Sequence, residues 1–448
     1  MTNRRMRITT LLSTLVVLPA VGATVTAAPL RLSEAVRLAL AQHPSVQQAE
    51  AQAAQAEARL RQARAAWFPT LRLAGSLYQY EEPMAAWPIH GFDLTRIPPF
   101  DETLMQGGLQ IDYMLFDGGA REARVRQAGR LRDAGQAAHT NAEQRLIARV
   151  VAAYLSVRAD EELVAAHERR RAAVDAERDR VAQLRAVGRA ANVDVARAEA
   201  ALAGADADWA QAQAALDVAR RDLARLIGAS PDTLMVLPVA EPAATESMDS
   251  VDVLSARVLA QSADVESARL RLVAAEAGRS AARGARWPSL NLRGAWTDLR
   301  DASGHRTDEW NAALLVGLPL FTGGAVGGAI AEADAGRNAA AEDWRLAQER
   351  AAAQLDQALA LRQESRARIA SLERAVASLE EVVRIEQLRL STGSDTQAEY
   401  LRAEADLLAA RAGLINARHA AVQADVELAR LLGELDIAWV EHNLESNR

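Results

Sequence analysis

Seven histidines, a glycine-rich GGAVGG segment and no cysteine are what this 448-residue chain offers to chemistry. The histidines are scattered without the spacing that lets several imidazoles meet one metal ion. The absence of cysteine removes thiolate ligands, disulfides and any lipid anchor on an N-terminal Cys. GGAVGG (Gly323–Gly328) sits between an apolar run and a helical one, the context of a phosphate cradle, but it lacks the G-x-G-x-x-G spacing. Its counterpart earlier in the chain reads GGAREA, and the glycines are better explained as letting a strand turn sharply into a helix. No nucleophile stands in a recognisable constellation with a base. No catalytic, cofactor or metal site is therefore expected, and the charged residues must act through the elements that place them.

Those charges are unusual in kind. All 52 basic residues are arginine, which codon bias in a GC-rich genome explains, and the formal net charge is −7. Residues 1–28 read as a cleaved signal peptide: Arg4, Arg5 and Arg7 precede an apolar run from Leu11 to Val21 and then small residues, with cleavage expected after Ala27 or Ala28. That apolar run falls short of the roughly 20 residues a membrane-spanning helix needs. Removing the signal makes the chain still more acidic, which argues against a nucleic-acid partner.

The mature chain is two copies of one unit. QHPSVQQAEAQAAQAEARLRQARAAWFPTLRLAGS from Gln42 aligns with QSADVESARLRLVAAEAGRSAARGARWPSLNLRGA from Gln261, with Pro69, Leu71 and Gly75 against Pro288, Leu290 and Gly294, 219 residues apart. Further on, LFDGG (Leu115–Gly119) aligns with LFTGG (Leu320–Gly324), and Gly188 and Glu199 align with Gly393 and Glu404, 205 residues apart. A shorter loop in the second copy accounts for the change of offset. The first repeat is read as 29–228, a proline-bearing equatorial linker as 229–250, the second repeat as 251–433, and a C-terminal tail as 434–448.

Each repeat reads as helix, strand, loop, strand, very long helix, tight turn, helix. The helical parts are rich in Ala, Arg, Glu, Gln and Leu and are expected to be free of internal proline. Ser33 and Asp252 are expected to cap the first helix of each copy, and Asp117 or Thr322 the long one. At 1.5 Å per residue the helix over 120–187 would run roughly 100 Å, and those over 33–66 and 193–228 roughly half that each. The second copy repeats the pattern over 252–286, 325–391 and 396–431. Two half-length helices end to end match one long partner, although helices alone leave open an extended soluble coiled coil.

The strands discriminate. Leu71, Leu73, Gly75 and Leu77 alternate with Arg72, Ala74, Ser76 and Tyr78, and Leu109, Ile111, Tyr113 and Leu115 with Gln110, Asp112 and Met114, a period of two. Strands are expected at 70–80, 106–116, 289–299 and 310–321, each about the 9–11 residues that cross a membrane obliquely in a barrel. Of the 18 Phe, Trp and Tyr residues, 13 fall in 67–116 and 287–321, including all five Phe, as the interface girdles of a barrel require. Open edges are not tolerated in hydrocarbon, and four strands cannot close a barrel. Three copies giving twelve strands are the simplest closed ring with a bore. The stretch 81–105 is expected to be an external loop.

LRLSEAVRLALAQHPSV, the FPTL and WPSL junctions, LFDGG and LFTGG, and the paired turns LRAVGRAANVDV and LRLSTGSDTQAEY resemble the TolC-like outer membrane efflux family over nearly the whole mature chain. The resemblance implies an α plus transmembrane β fold, in which a homotrimer forms a 12-stranded β-barrel in outer-membrane lipid and a periplasmic α-barrel. Such a duct docks on a periplasmic adaptor (a membrane fusion protein) and, through it, on an inner-membrane pump of an efflux or type I secretion system. It further implies that the tight turns form the periplasmic tip. Arg185, Val187, Gly188, Arg389, Ser391 and Gly393 match the adaptor-contact turns, and Asp194 and Glu399 match acidic positions at the constriction. Those two acids equally fit a role at helix N-termini. Arg197 and Arg402 stand where relatives can carry a further acid, and Leu390 and Asp395 replace the Tyr and Arg that lock some members shut, so Arg-carboxylate pairs are expected to hold the tip. The rival readings are a periplasmic adaptor, with one hairpin inside Gly-rich β halves, and a structural periplasmic coiled coil.

Overall fold

A computed structural model describes residues 29–86, 99–231, 234–240, 250–392 and 396–445. The expected signal peptide lies outside the described residues. The first repeat is built from α1 (Leu32–Gln42), α2 (Pro44–Ala65), β1 (Thr70–Ala85), β2 (Phe100–Phe116), α3 (Ala120–Ala186) and α4 (Asn192–Ile227). The second follows with α5 (Val251–Gln261), α6 (Ala263–Gly284), β3 (Ser289–Asp301), β4 (Arg306–Gly317), α7 (Ala325–Thr392) and α8 (Gln397–Leu431), and then α9 (Ile437–Leu444).

Several helix ends differ from the sequence expectation. The 33–66 segment does contain a proline, Pro44, and it is two helices: His43 is extended, as the residue before proline must be, and Pro44 occupies the first position of α2. The second copy breaks at the equivalent place without proline, with Ser262 extended between α5 and α6. Ser33 is not a cap. It is buried inside α1, where its N–H and hydroxyl donate to the Glu445 carboxylate at 2.7 and 3.0 Å. Asp252 lies within α5, whose cap is Ser250, accepting the Val253 N–H at 3.4 Å. At the long helices the Asp117 carboxylate accepts the Arg121 N–H at 2.7 Å, and the Thr322 hydroxyl accepts the Val326 N–H at 3.4 Å.

Large apolar side chains concentrate at mid-length. Leu32, Val36, Leu146, Val150, Tyr154, Leu223 and Ile227 form the principal core, joined by Leu234 and Val236 from the linker and Leu435, Val440 and Leu444 from the C-terminal stretch. The linker thus begins as a packed segment, with Leu30 and Val236 forming a parallel bridge, and the tail carries the docked helix α9. A second core gathers Leu254, Val258, Val265, Leu355 and Leu431. Toward the helix ends alanines replace these residues, such as Ala134, Ala198, Ala205, Ala403 and Ala410, so the helices approach closely with little apolar bulk.

The four strands form one antiparallel sheet in the order β1-β2-β3-β4. They run further than expected: β1 and β2 extend into the predicted loop, of which 87–98 lies outside the described residues. β4 ends at Gly317, so Leu318 to Phe321 form the approach to α7 rather than strand. The repeats share one register, since Thr70 opposite Asp112 corresponds to Ser289 opposite Gly317 under the 219 and 205 offsets.

Candidate functional site

Two places bear on function, the faces of the sheet and the turns at the far end of the long helices. The register sets Leu71 beside Ile111, Leu73 beside Leu109 and Leu77 beside Met105, and continues through Trp296 and Trp310, Leu292 and Leu314, and Leu290 and Val316. Because alternate residues share a face, this side of the sheet is almost wholly apolar. It is also open to solvent: Leu73 is 81% exposed and Val316 71%. An apolar patch of that extent marks a surface meant for a membrane or a partner. The opposite face carries Arg72, Ser76, Gln110, Asp112, Asn291 and Arg293. There Arg293 donates to Asp112 at 2.7 Å, and Gln110 donates to the same carboxylate at 2.7 Å. One greasy and one hydrated face is the pattern of a barrel wall. Among the described residues, no helix is long and apolar enough to cross a membrane.

Arg121 ties this sheet to its helices. Buried at 6% exposure, it stacks its guanidinium 3.8 Å from the Trp67 ring centre and donates to the carbonyls of Ala66 (3.1 Å) and Met114 (2.7 Å). A buried arginine whose terminal nitrogens donate to carbonyls while its plane lies on an aromatic face fixes the angle between strand and helix, although its Nε has no partner among the described residues.

At the other end, α3 stops because Gly188 takes the left-handed conformation, φ 75°, with its N–H to the Arg185 carbonyl and the Arg189 N–H to the Leu184 carbonyl. α4 starts two residues after Ala190, and the Asp194 carboxylate accepts the Ala191 N–H at 3.1 Å. α7 ends with the Ser391 and Thr392 hydroxyls donating to the carbonyls of Leu388 and Arg389, and Glu399 lies in the first turn of α8. The two turns sit side by side around a recess of about 500 Å³. Arg180, Arg189, Asp194 and Arg197 line it from the first repeat, and Leu390 and Gln397 from the second. Both polar atoms of the Gln397 amide are buried without a partner among the described residues.

Of the residues singled out by sequence, Asp194, Arg197 and Leu390 are therefore brought together, whereas Glu399 and Arg402 lie exposed on α8. Arg185, Val187, Arg389 and Ser391 are exposed on the turns, and Arg389 pairs with Glu386 at 3.1 Å. Gly393 and Asp395 lie outside the described residues. No Arg-carboxylate pair involving Arg197 or Arg402 forms among the described residues. Asp194 does serve its own helix N-terminus, the alternative that the sequence left open.

Sequence reasoning missed the polar cluster behind the tip, where α3 packs on α8. The Glu177 carboxylate is nearly inaccessible and receives Arg180 in a bidentate pair at 2.7 and 2.8 Å. Tyr400, buried at 4% exposure, donates its hydroxyl to Glu404 at 3.2 Å. Burial raises the Glu404 carboxyl above the ordinary glutamate range, with the Tyr400 hydrogen bond and Arg411 and Arg170 opposing it. Its repeat counterpart Glu199 is exposed. A tyrosine in an alanine-rich helix was the available signal.

The comparisons agree with this geometry. The family model for outer membrane efflux proteins matches residues 35–229 and 254–434. The outer membrane efflux protein BepC of Brucella suis is 27% identical over 334 residues, 73% of this chain and 72% of that protein. The cation efflux system protein CusC of Escherichia coli is 28% identical over 204 residues, 44% of this chain and 45% of its own length. In fold, the outer membrane protein VceC from Vibrio cholerae superposes with a TM-score of 0.76 at 23% identity, over 90% of this chain and 96% of that one. A two-faced sheet at one end of paired long helices, matched across both repeats by that family model, means that this chain belongs to the outer membrane efflux protein family and is an outer-membrane channel with a long periplasmic helical extension.

Proposed function

We infer that three copies of this chain form a passive duct, without catalytic activity, that carries efflux cargo from a periplasmic adaptor and its inner-membrane pump to the exterior. The observation that carries this reading is the apolar sheet face, which a single four-stranded sheet leaves exposed and whose two outer edges have no strand neighbour among the described residues. Unpaired backbone groups cost several kcal/mol each in hydrocarbon, so the sheet is viable in lipid only as part of a closed ring. Twelve strands from three copies leave the polar face with Arg72, Gln110 and Arg293 lining the bore.

In this reading the hairpin turns are the adaptor-contact end, with Arg185, Val187, Gly188, Arg389, Ser391 and Gly393 offered to the adaptor. Asp194 and Glu399, repeated by the assembly, give carboxylate rings that favour cations at the constriction. Arg197, Arg402 and Asp395 are further charges assigned to that end, beside Arg180 and Arg189 of the recess. Arg197 and Arg402 form no carboxylate pair among the described residues, and in this reading neighbouring copies supply their partners. The test is single-channel recording in planar bilayers. The parent should insert as a low-conductance pore, and the double variant Arg197→Ala with Arg402→Ala should conduct more. A protein recovered as a water-soluble monomer by osmotic shock would refute the duct, and unchanged conductance in the double variant would refute the role of the two arginines.

A further inference from the structure

The apolar face of the sheet ends abruptly in charge. On β3 and β4 the register sets Leu292 beside Leu314 and Trp296 beside Trp310, and further along the same face it sets Asp298 beside Asp308 and Arg300 beside Arg306. From Leu290 to Arg300, residues rising about 3.3 Å each on strands tilted about 40° climb roughly 25 Å, the height of the apolar band of an outer-membrane barrel. Arg300 and Arg306 therefore stand at headgroup level, at the end of the sheet away from the helices and just beyond a tryptophan pair of the kind that marks that interface. They are the only cations on this face of the four strands among the described residues, since Arg72 and Arg293 belong to the polar face.

The arrangement serves the hairpin poorly. Like charges directly opposite each other destabilise a strand pair, and exchanging Arg306 with Asp308 would give two direct cross-strand ion pairs instead. One carboxylate serves both guanidiniums: Arg300 donates its Nε to Asp298 at 2.9 Å, and Arg306 donates its Nε to the other carboxylate oxygen at 2.5 Å. Two nearby acids are engaged elsewhere. Asp308 accepts the Trp296 indole N–H at 3.2 Å, and Asp101 accepts the Thr103 N–H at 2.8 Å and the Ser303 hydroxyl at 3.2 Å. The shared Asp298 side chain is only 15% exposed, whereas Arg300 and Arg306 are 52% and 58% exposed and carry an excess of positive charge over it.

We propose that Arg300 and Arg306 form a site for a phosphate group on the headgroup of an outer-leaflet lipid, with Trp296 and Trp310 seated where its acyl chains begin. Phosphate accepts the planar forks of two guanidiniums and relieves the repulsion that a single shared carboxylate leaves between them. Clusters of basic side chains beside an apolar surface recognise anionic lipids in the same way. The site is confined to the β3–β4 corner. At the corresponding end of β1 and β2, Thr103 donates its hydroxyl to the Gln79 side chain at 2.6 Å, and both are neutral.

This proposal rests on the reading of the sheet as a barrel wall, and the test separates the two. Detergent-solubilised protein is titrated with diphosphorylated lipid A and with the same lipid stripped of phosphate, and bound lipid is counted by native mass spectrometry. The parent should bind the phosphorylated form at least about tenfold more tightly. Equal binding of both forms would overturn the proposal without recourse to any variant. Arg300→Gln with Arg306→Gln should lose at least about tenfold in affinity for diphosphorylated lipid A. Arg345→Gln with Arg368→Gln removes the same charge from exposed positions along α7 and should lose none; equal losses in the two would overturn the site. Inorganic phosphate in excess should leave the lipid bound, and its displacement would overturn the assignment to a lipid headgroup. Parent protein that fails to float with phosphatidylcholine vesicles refutes the barrel wall itself, whereas insertion without a preference for the phosphorylated lipid refutes only the headgroup site.

Discussion

Replacing Tyr154 by Phe removes one oxygen from the principal core and little else. That hydroxyl is 2.8 Å from the Leu30 carbonyl and 3.0 Å from the Leu237 carbonyl, and it accepts the Leu237 N–H at 2.7 Å. The residue is 1% exposed, and burial holds its phenol protonated far above neutral pH. It thereby fastens the start of the equatorial linker and the N-terminal approach to α1 against mid-α3. In Tyr154→Phe the Leu237 N–H keeps only a long contact to the Leu30 carbonyl, at 3.4 Å. Leaving such groups unsatisfied costs about 1–3 kcal/mol, and the residual contact places the cost at about 1–2 kcal/mol. Every 1.4 kcal/mol is tenfold, so local opening at 234–240 should rise roughly 5- to 30-fold. Hydrogen exchange followed by mass spectrometry on the detergent-solubilised protein reads this directly. Peptides covering 234–240 should exchange faster in the variant, and peptides around Leu407 should not. Unchanged exchange at Leu237, or equal acceleration everywhere, would refute the assignment of this hydroxyl as the linker's fastening.

Two titrating groups give pH dependences of opposite sign. Burial lowers His419 from 6.5 to about 4, with Arg158 and Arg418 adding to the effect, so its neutral form contributes stability above pH 6.5 that is lost as pH falls toward about 4. His419→Gln should flatten the fall in melting temperature over that window, and a variant that tracks the parent would contradict this. Glu404 is raised instead, so its contribution is full below the ordinary glutamate range and is lost as pH rises through its folded value. Glu404→Gln should therefore raise the melting temperature at neutral pH and lose the advantage on acidification. A variant less stable than the parent at neutral pH would show that the charged form is the one the α3–α8 contact favours.

The repeat, the long helices and the strand positions were legible because each is written in local spacing. Leu71, Leu73 and Leu77 keep a period of two, and the 219 and 205 offsets are preserved so closely that α2 and α6, and α4 and α8, begin at equivalent residues. Turn chemistry was legible at Gly188, where only a left-handed residue ends α3 and permits α4 to return. Helix ends were less so. Pro44 announces the break between α1 and α2, but Ser262 does the same work with no marker, because the break is imposed by the packing of α5 and α6 along α7.

What only the tertiary structure decided is which distant residues share an environment. Glu404 and Glu199 occupy equivalent places in the two repeats, yet one is enclosed against α3 and the other faces solvent. Asp194 is an acid one turn from a hairpin tip by sequence, and only the fold shows its carboxylate occupied by the Ala191 N–H. The stretch after residue 433 is featureless in sequence, but Leu435, Val440 and Leu444 join the core that α1, α3 and α4 build, with α9 packed on α1. Spacing along a chain dictates which face a side chain shares with its near neighbours, whereas solvation and charge are set by whatever is brought opposite, and that depends on residues hundreds of positions away.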